Sequence, residues 1–269
     1  MPRLITDTEG WTHVKSKRPH APPKREERRA RAEREKDLDL ERILARYQNY
    51  LRRWKDSTSY PTLVAFFEVT LLKLEDLQVT SCICTGLGSL TESPHLDAGP
   101  SASLWQLAIL ETMLELLGKK FTIHAVSFQD PAFNDLDEEV LQSKGYKIVQ
   151  DPAASKLMTS TTFLFAPCNG WWTIAHSLEV AHPSLFIGNN LHYFMECYTL
   201  LGLGPNANRY RDTYQSFLTG RSFKNCPPFE GHVSALEGQA IFWKPDDGGV
   251  PQTGQVLEVR VIMEATGAG

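Results

Sequence analysis

Four short segments hold the residues whose types and spacing could do chemistry: Gly86-Leu87-Gly88-Ser89, Gln129-Asp130-Pro131, Pro167-Cys168-Asn169-Gly170 and Gly188-Asn189-Asn190. Glycines at 86 and 88 would let a ligand approach the backbone closely. Asp130 is placed as a carboxylate that accepts ribose hydroxyl hydrogen bonds would be. Together they suggest an adenosyl or nicotinamide nucleotide as cofactor. The same residues have plainer readings, since glycines make tight strand-to-helix turns and Asp-Pro starts turns. No third glycine follows, and residues 91–100 separate the Gly pair from the next helix, so the dipole of that helix need not face a phosphate.

Cys168 stands eight residues before His176, a spacing at which a loop thiol and a helix imidazole could orient one another. An inert, buried cysteine is the preferred reading, because reactivity needs contact that spacing alone does not supply. Cys82 and Cys84 are two apart on a strand, share one face and are expected in the core. His182 and His192 lack ligand-like spacing, so no metal is assigned. The chain has no G-x-S-x-G, no P-loop G-x-x-x-x-G-K and no H-E-x-x-H. Glu138 and Glu139 read as a charged helix face rather than a catalytic pair. Whether there is catalysis stays open.

The elements that must position these segments come from periodicity. Short β-branched and aromatic runs predict strands over 80–85, 121–128, 146–149, 161–166 and 184–187. Helical patterns lie over 101–117, 135–143 and 171–180, with another from about 191. Such alternation means an α/β fold, with a Rossmann-like, mostly parallel sheet, right-handed crossovers and flanking helices. Later strands over 240–243 and 256–262 are expected to be antiparallel. In open parallel sheets ligands bind outside the carboxyl ends of the strands, which is where all four segments fall. Ahead of the sheet, Leu40, Leu44, Tyr47, Leu51 and Trp54 recur at steps of four, three, four and three, forming one helical stripe. That stripe is expected to pack on the body, with a partner surface as the alternative. Ser59 and Pro61 open a second helix, expected to end near Leu77 with Ser59 as its cap.

Residues 1–36 thus form a basic arm, disordered or partly helical. Residues 37–78 are helices packing on the body, and 79–265 are the α/β domain. Residues 11–36 carry ten Lys or Arg against four Glu, a balance of +6, which leaves −10 for the rest of a chain whose net charge is −4. An acidic body makes a nucleic-acid footprint unlike this fold, and leaves partner recruitment or nuclear entry to the arm. Five cysteines without C-x-x-C spacing fit a reducing compartment. The N-terminus lacks an apolar core for export, and its Glu26, Glu27, Glu33 and Glu35 do not suit an acid-poor transit peptide. The most apolar stretch, 63–77, is broken by Glu68, Lys73, Glu75 and Asp76, so no membrane span is expected. The expected location is the cytoplasm, with the nucleus as a second destination.

Read in order, Cys84-Thr-Gly-Leu-Gly-Ser89, Ser93-Pro94, Gln106-Leu107-Ala108, Asp130-Pro131-Ala-Phe133, Asp137, Glu138, Gly145, Thr162-Phe-Leu-Phe-Ala-Pro-Cys168 and Ile187-Gly188-Asn189 resemble the SRR-like domain family, named for sensitivity to red light reduced. The resemblance covers about 79–190, with looser similarity at Trp243 and Gly10-Trp11-Thr12. It implies a regulatory protein, tied to circadian timing and light signalling in plants and to haem metabolism and clock output in animals. It establishes no activity. Where that family often has Pro-His-Cys and Gly-Asn-Ser, this chain has Pro167-Cys168-Asn169 and Gly188-Asn189-Asn190. The competing reading is an S-adenosylmethionine-dependent, methyltransferase-like enzyme that holds its cofactor through Gly86, Gly88 and Asp130.

Overall fold

The structure is a computed structural model, and it describes residues 3–6, 12–15, 25–91, 102–197 and 206–246. The expected strand over 256–262, the Gly10-Trp11 pair and most of the 91–100 segment lie outside the described residues. The chain divides into two units, Met1–Arg42 and Ile43–Gly269.

In the first unit β1, Arg3–Thr6, pairs antiparallel with β2, Thr12–Lys15, so that Ile5 faces His13 and Leu4 faces Val14. Leu4, Ile5, Thr6, Thr12 and Val14 among the paired residues are apolar or β-branched, types that favour strand. The helix α1, Arg25–Lys55, begins in this unit and ends in the second.

The second unit is built on a seven-stranded sheet ordered β5-β4-β3-β6-β7-β9-β8. The strands are β3 Ser81–Thr85, β4 Ala125–Gln129, β5 Lys147–Ile148, β6 Thr162–Ala166, β7 Leu185–Asn189, β8 Ser222–Asn225 and β9 Gln239–Trp243. Pairs β3–β4, β3–β6, β4–β5 and β6–β7 are parallel, whereas β9 runs antiparallel to both β7 and β8. The expected mostly parallel α/β sheet with an antiparallel late strand is therefore what forms. Its topology reverses at β3, whose two neighbours, β4 and β6, lead the chain outward in opposite directions. That is the switch point at which a doubly wound sheet opens a crevice.

Strand alternation divides the core into two faces. Leu164, Phe186, Ala240 and Phe242 turn to one face, where they pack with residues of α5 Ala153–Leu157, α6 Trp171–Val180, α7 Leu191–Cys197 and α8 Ala207–Leu218. Phe163, Phe165, Leu185, Ile187 and Trp243 turn to the other, all of them buried. There lie the end of α1, α2 Ser59–Val69 and α3 Ala102–Gly118, with Phe66 of α2 edge-on to Trp243 at 5.2 Å. The remaining helix, α4 Asp135–Ser143, precedes β5. Each fully buried Leu or Phe in these layers contributes roughly 1.5–3 kcal/mol.

Within the second unit the end of α1 packs on α3. Tyr47, Tyr50 and Trp54 are buried, and the Trp54 indole donates to Thr112 Oγ1 of α3 at 3.0 Å. The second helix is shorter than its sequence suggests, ending at Val69 in a single 3-10 turn over Leu71–Lys73. Ser59 is not its cap. Its hydroxyl donates to the Pro228 carbonyl at 2.5 Å, and Ser57 Oγ instead accepts from the Tyr60 amide at 3.2 Å. The second strand starts at Ala125 rather than 121, because the amides of Lys119, Lys120 and Phe121 close the last turn of α3 on Leu116 and Leu117. Three residues past that closure, the His124 amide donates to the Thr80 carbonyl at 2.9 Å.

Candidate functional site

Because β3, β4, β6 and β7 are parallel, the loops that follow them open on the same edge of the sheet. Ser89, Asp130, Cys168 and Asn189 therefore share that edge, and side chains lace the loops together. At the switch point Asn169, after β6, donates its Nδ2 to Thr85 Oγ1 at the end of β3, 2.5 Å away. The Asn169 carbonyl accepts in turn from Nδ2 of Asn189, the last residue of β7, at 2.8 Å. Gly86 lies under this bridge with φ +70°, and a Cβ there would stand 2.4 Å from Asn169 Oδ1. Only glycine fits that combination of left-handed backbone and close approach.

Asp130 does something other than wait for a ribose. Its Oδ2 accepts from the Gly88 amide at 2.7 Å, and its Oδ1 accepts from the Ala132 amide at 2.8 Å. The first bond latches the β4 loop to the glycine turn of β3, where Gly88 has φ +77°. The second is a local turn of the kind Asp favours. Both carboxylate oxygens are thus engaged with backbone.

A second aspartate, one that the sequence did not single out for this edge, completes the fastening. Asp137 is fully buried in the first turn of α4 and accepts from the amides of Leu90 at 2.9 Å, Thr91 at 3.0 Å and Asn134 at 3.0 Å. With Asn134 it forms a capping box, and the Asn134-x-x-Asp137 spacing is the signal that could have drawn attention to it. Ser89 Oγ accepts from the Thr91 amide at 3.2 Å.

The remaining predicted residues differ in accessibility. Pro167 is buried, and its carbonyl accepts from Gln239 Nε2 at 3.1 Å. Gly188 lies inside β7, where a Cβ would meet the Ala166 carbonyl at 2.7 Å, so it serves strand packing. Cys168 is exposed, which corrects the expectation of a buried thiol: β6 ends at Ala166, and the chain has left the sheet by 168. Its sulfur lies 3.3 Å from Gln106 Nε2 of α3. His176 packs edge-on to Tyr210, with ring centroids 6.0 Å apart, so no thiol–imidazole pair is formed. Cys84, beneath the loop, has its thiol pushed well above the ordinary range by burial first, and then by the charges of Cys82, Asp130 and Cys168. It stays neutral.

Two buried glutamines that carry no motif also converge here. Gln106 and Gln239 both direct Nε2 at the Ala235 carbonyl, at 3.4 and 3.1 Å. That shared acceptor fixes the orientation of both carboxamides, and Oε1 of each is buried without a hydrogen-bond partner. Among the described residues no group of three His, Cys, Asp or Glu side chains could hold a metal ion, and no helix is long and apolar enough to cross a membrane. The edge therefore carries the carboxamides of Asn169 and Asn189, each donating its Nδ2 within the edge, with the exposed Cys168 beside them. Its two aspartates are already bonded to backbone amides.

The family model described as the SRR1 domain matches residues 45–243. Among curated proteins, none matches significantly. Solved structures give distant likenesses only. The selenomethionine form of the CurJ carbon methyltransferase is 13% identical over 89% of this chain and 74% of its own, with a TM-score of 0.34. Protein 1320 of Thermoplasma acidophilum is 12% identical over 76% of this chain and 98% of its own, with a TM-score of 0.31. The plantazolicin methyltransferase BpumL in complex with SAH is 13% identical over 78% of this chain and 91% of its own, with a TM-score of 0.30.

Proposed function

This chain belongs to the SRR1 domain family, whose model matches residues 45–243, and from that premise we propose that it is a regulatory protein whose strand-end crevice binds a small polar ligand. The regulation is of the circadian, light-signalling or haem-metabolism type that the family resemblance implies. It acts in the cytoplasm, with the basic arm recruiting protein partners or carrying the chain into the nucleus. The observation that supports ligand binding is the bridge at the switch point, where Asn169 joins the ends of β3 and β6 over Gly86 and is itself held by Asn189. Glycine is used there because backbone and side chain approach too closely for a Cβ, and such preformed polar edges are where doubly wound sheets take their ligands.

A regulator is favoured over an enzyme by the chemistry of the groups that remain. Asp130 and Asp137 accept backbone amides, and His176 packs on Tyr210, which leaves, among the described residues of this edge, no acid, base and nucleophile set in mutual contact. The methyltransferase-like alternative is not favoured either, since Asp130, which it uses to hold S-adenosylmethionine, already accepts Gly88 and Ala132 amides.

The test is a thermal shift and titration calorimetry series on the full chain with adenosine nucleotides, nicotinamide dinucleotides and S-adenosylmethionine. A ligand present at a hundred times its Kd stabilises the folded state by about 2.7 kcal/mol. The expected result is a rise in Tm with at least one of these, abolished in Asn169→Ala while the unliganded variant remains folded. No shift and no heat with any of them would leave the crevice a structural seam and overturn the proposal.

A further inference from the structure

Gln106 of α3 and Gln239, the first residue of β9, are 0% and 3% exposed. Gln239 stands opposite Asn189 in the sheet, so its side chain lies on the α3 face of the same strand-end edge. Its Nε2 donates to the Pro167 and Ala235 carbonyls, each at 3.1 Å, and Gln106 Nε2 donates to that of Ala235 at 3.4 Å. Carbonyls only accept, so these partners fix the nitrogen end of each amide and leave both Oε1 atoms buried without a partner among the described residues. Two buried acceptors on neighbouring elements call for a group that donates. The peptide group that meets both glutamines belongs to a single 3-10 turn, Val233–Ala235, in the connection from β8 to β9. It answers half of their chemistry, because a backbone carbonyl offers no hydrogen to either Oε1. The amides of His232, Ala235 and Glu237 bond to the carbonyls of Phe229, His232 and Val233, all within this connection. The Ala235 carbonyl is thus the hydrogen-bonding tie between the turn and α3 among the described residues, and Val233, the first residue of the turn, is 64% exposed. The connection is pinned further back, where Glu230 accepts from the Thr58 amide at 2.8 Å and the Ser59 hydroxyl at 3.1 Å, so the turn can lift while its base stays attached.

We propose that the Gln106–Gln239 pair is a binding site for a neutral primary carboxamide, which enters as the Val233–Ala235 turn lifts. The carbonyl of the ligand takes the place of that of Ala235 as acceptor for the two Nε2 groups, and its NH2 supplies the hydrogens that the two Oε1 atoms lack. A carboxylate would set further acceptors against those oxygens. A cation fits less well than a neutral donor, since the aspartates of this edge are bonded to backbone amides and burying a charge against two neutral oxygens costs more than burying an amide. The inference rests on the reading of this edge as a ligand site, and it names the ligand class for the α3 side of that edge, apart from the Asn169 bridge.

The probe is nicotinamide, titrated into the full chain labelled with heavy nitrogen and followed by magnetic resonance. Methyl nicotinate, which keeps the carbonyl but lacks the N–H, and nicotinate, which adds a charged acceptor, are titrated in parallel. The side-chain amide signals of Gln106 and Gln239, assigned by their loss in Gln106→Leu and Gln239→Leu, should shift together and saturably with nicotinamide, while the ester and the acid bind about 10-fold more weakly or worse. Folded Gln106→Leu should weaken nicotinamide by about 10-fold. Val233→Gly leaves both glutamines intact and loosens the turn at an exposed position. It should tighten the apparent affinity by about 3-fold, because a larger fraction of the chain is open. Glutamine signals that do not move, or amide and ester binding alike, overturn the site, and an affinity unchanged in Val233→Gly overturns the lifting of the turn. If nicotinamide has no effect while a nucleotide still binds in a way that needs Asn169, the glutamine site falls and the crevice reading stands. If nicotinamide shifts both glutamines while no nucleotide binds, the reverse holds.

Discussion

Asp137 is a fully buried carboxylate that accepts three backbone amides, two of them, from Leu90 and Thr91, in the loop that carries the glycine turn. Removing it leaves three backbone donors to find other partners around a fully buried position. Asp137→Ala should therefore lower stability by about 2–4 kcal/mol, and Asp137→Asn, which keeps one acceptor oxygen, by roughly half as much. Urea denaturation checks this through a lower midpoint at unchanged slope. A loss below about 1 kcal/mol would mean that the loop is not held by this side chain. At this scale the sequence was legible where backbone geometry admits few solutions. The need for glycine at 86 and 88 follows from their left-handed φ values, +70° and +77°, and was visible as a strand-end turn. The location of Asp130 was visible too, but its partner was not, because the bond to Gly88 spans 42 residues. Cys168 was misplaced for a smaller reason. The strand ends at 166 as its pattern predicts, but exposure two residues beyond it depends on what the neighbouring loops cover, which periodicity does not show.

Glu111 of α3 joins elements much as Asp137 joins loops. Its carboxylate accepts from the Tyr47 hydroxyl on α1, from the Tyr146 hydroxyl at 2.8 Å and from Lys144 Nζ at 2.9 Å, while Lys144 also sits 4.2 Å from the centre of the Tyr47 ring. Burial, then the charge of Glu111, raises both phenols above their ordinary range, so they remain donors at any moderate pH. Glu111→Ala would strand two phenols and an ammonium, and a loss of about 2–4 kcal/mol is expected, against about 1 kcal/mol for Tyr146→Phe, which removes one bond and one polar atom together. Parallel denaturation curves decide it, and equal losses would show that Glu111 is solvated rather than central. The elements themselves were legible in proportion to their pattern. The helices Asp135–Ser143 and Trp171–Val180 have the bounds their periodicity predicts. Ala207–Leu218 was missed although Tyr210, Tyr214 and Phe217 make an apolar stripe on it, because polar residues surround that stripe. Ser222–Asn225 has four residues, too few for alternation to stand out, and it is recognised as a strand only once β9 pairs with it.

For the whole molecule, charge partition was readable because charge simply adds along a chain, whereas proton affinity depends on what each group packs against. The described body buries its titratable groups so that both ends of the pH scale disfavour the fold. His182 packs edge-on to Phe217 with centroids 5.6 Å apart, and burial first, then Arg221, lowers its proton affinity. His192 lies over Phe223 at 4.3 Å and is likewise lowered by burial, against a weaker opposing pull from Glu196. A base whose folded pKa is depressed binds its proton more readily when unfolded. Its contribution is complete above the free imidazole value of about 6.5 and is lost as pH falls below it. Glu179, lowered chiefly by its paired hydrogen bonds to Arg209, follows the same sign at lower pH, below about 4.3. At the alkaline end burial raises the thiols of Cys82, Cys84 and Cys226, and then the phenols of Tyr47, Tyr146 and Tyr214. Their contribution is held at neutral pH and declines as pH rises past about 8.5, where an unfolded thiol ionises. Stability should therefore be level from about pH 7 to 8 and begin falling on the acid side near 6.5, before any ordinary carboxylate titrates. Denaturation midpoints measured at half-unit intervals should trace that shape, and His192→Gln together with His182→Gln should flatten the stretch between about pH 6.5 and 5. A wild-type midpoint that stays level down to pH 5 would mean that both rings take up protons within the fold as easily as in the unfolded chain, and that their packing on Phe217 and Phe223 does not exclude water.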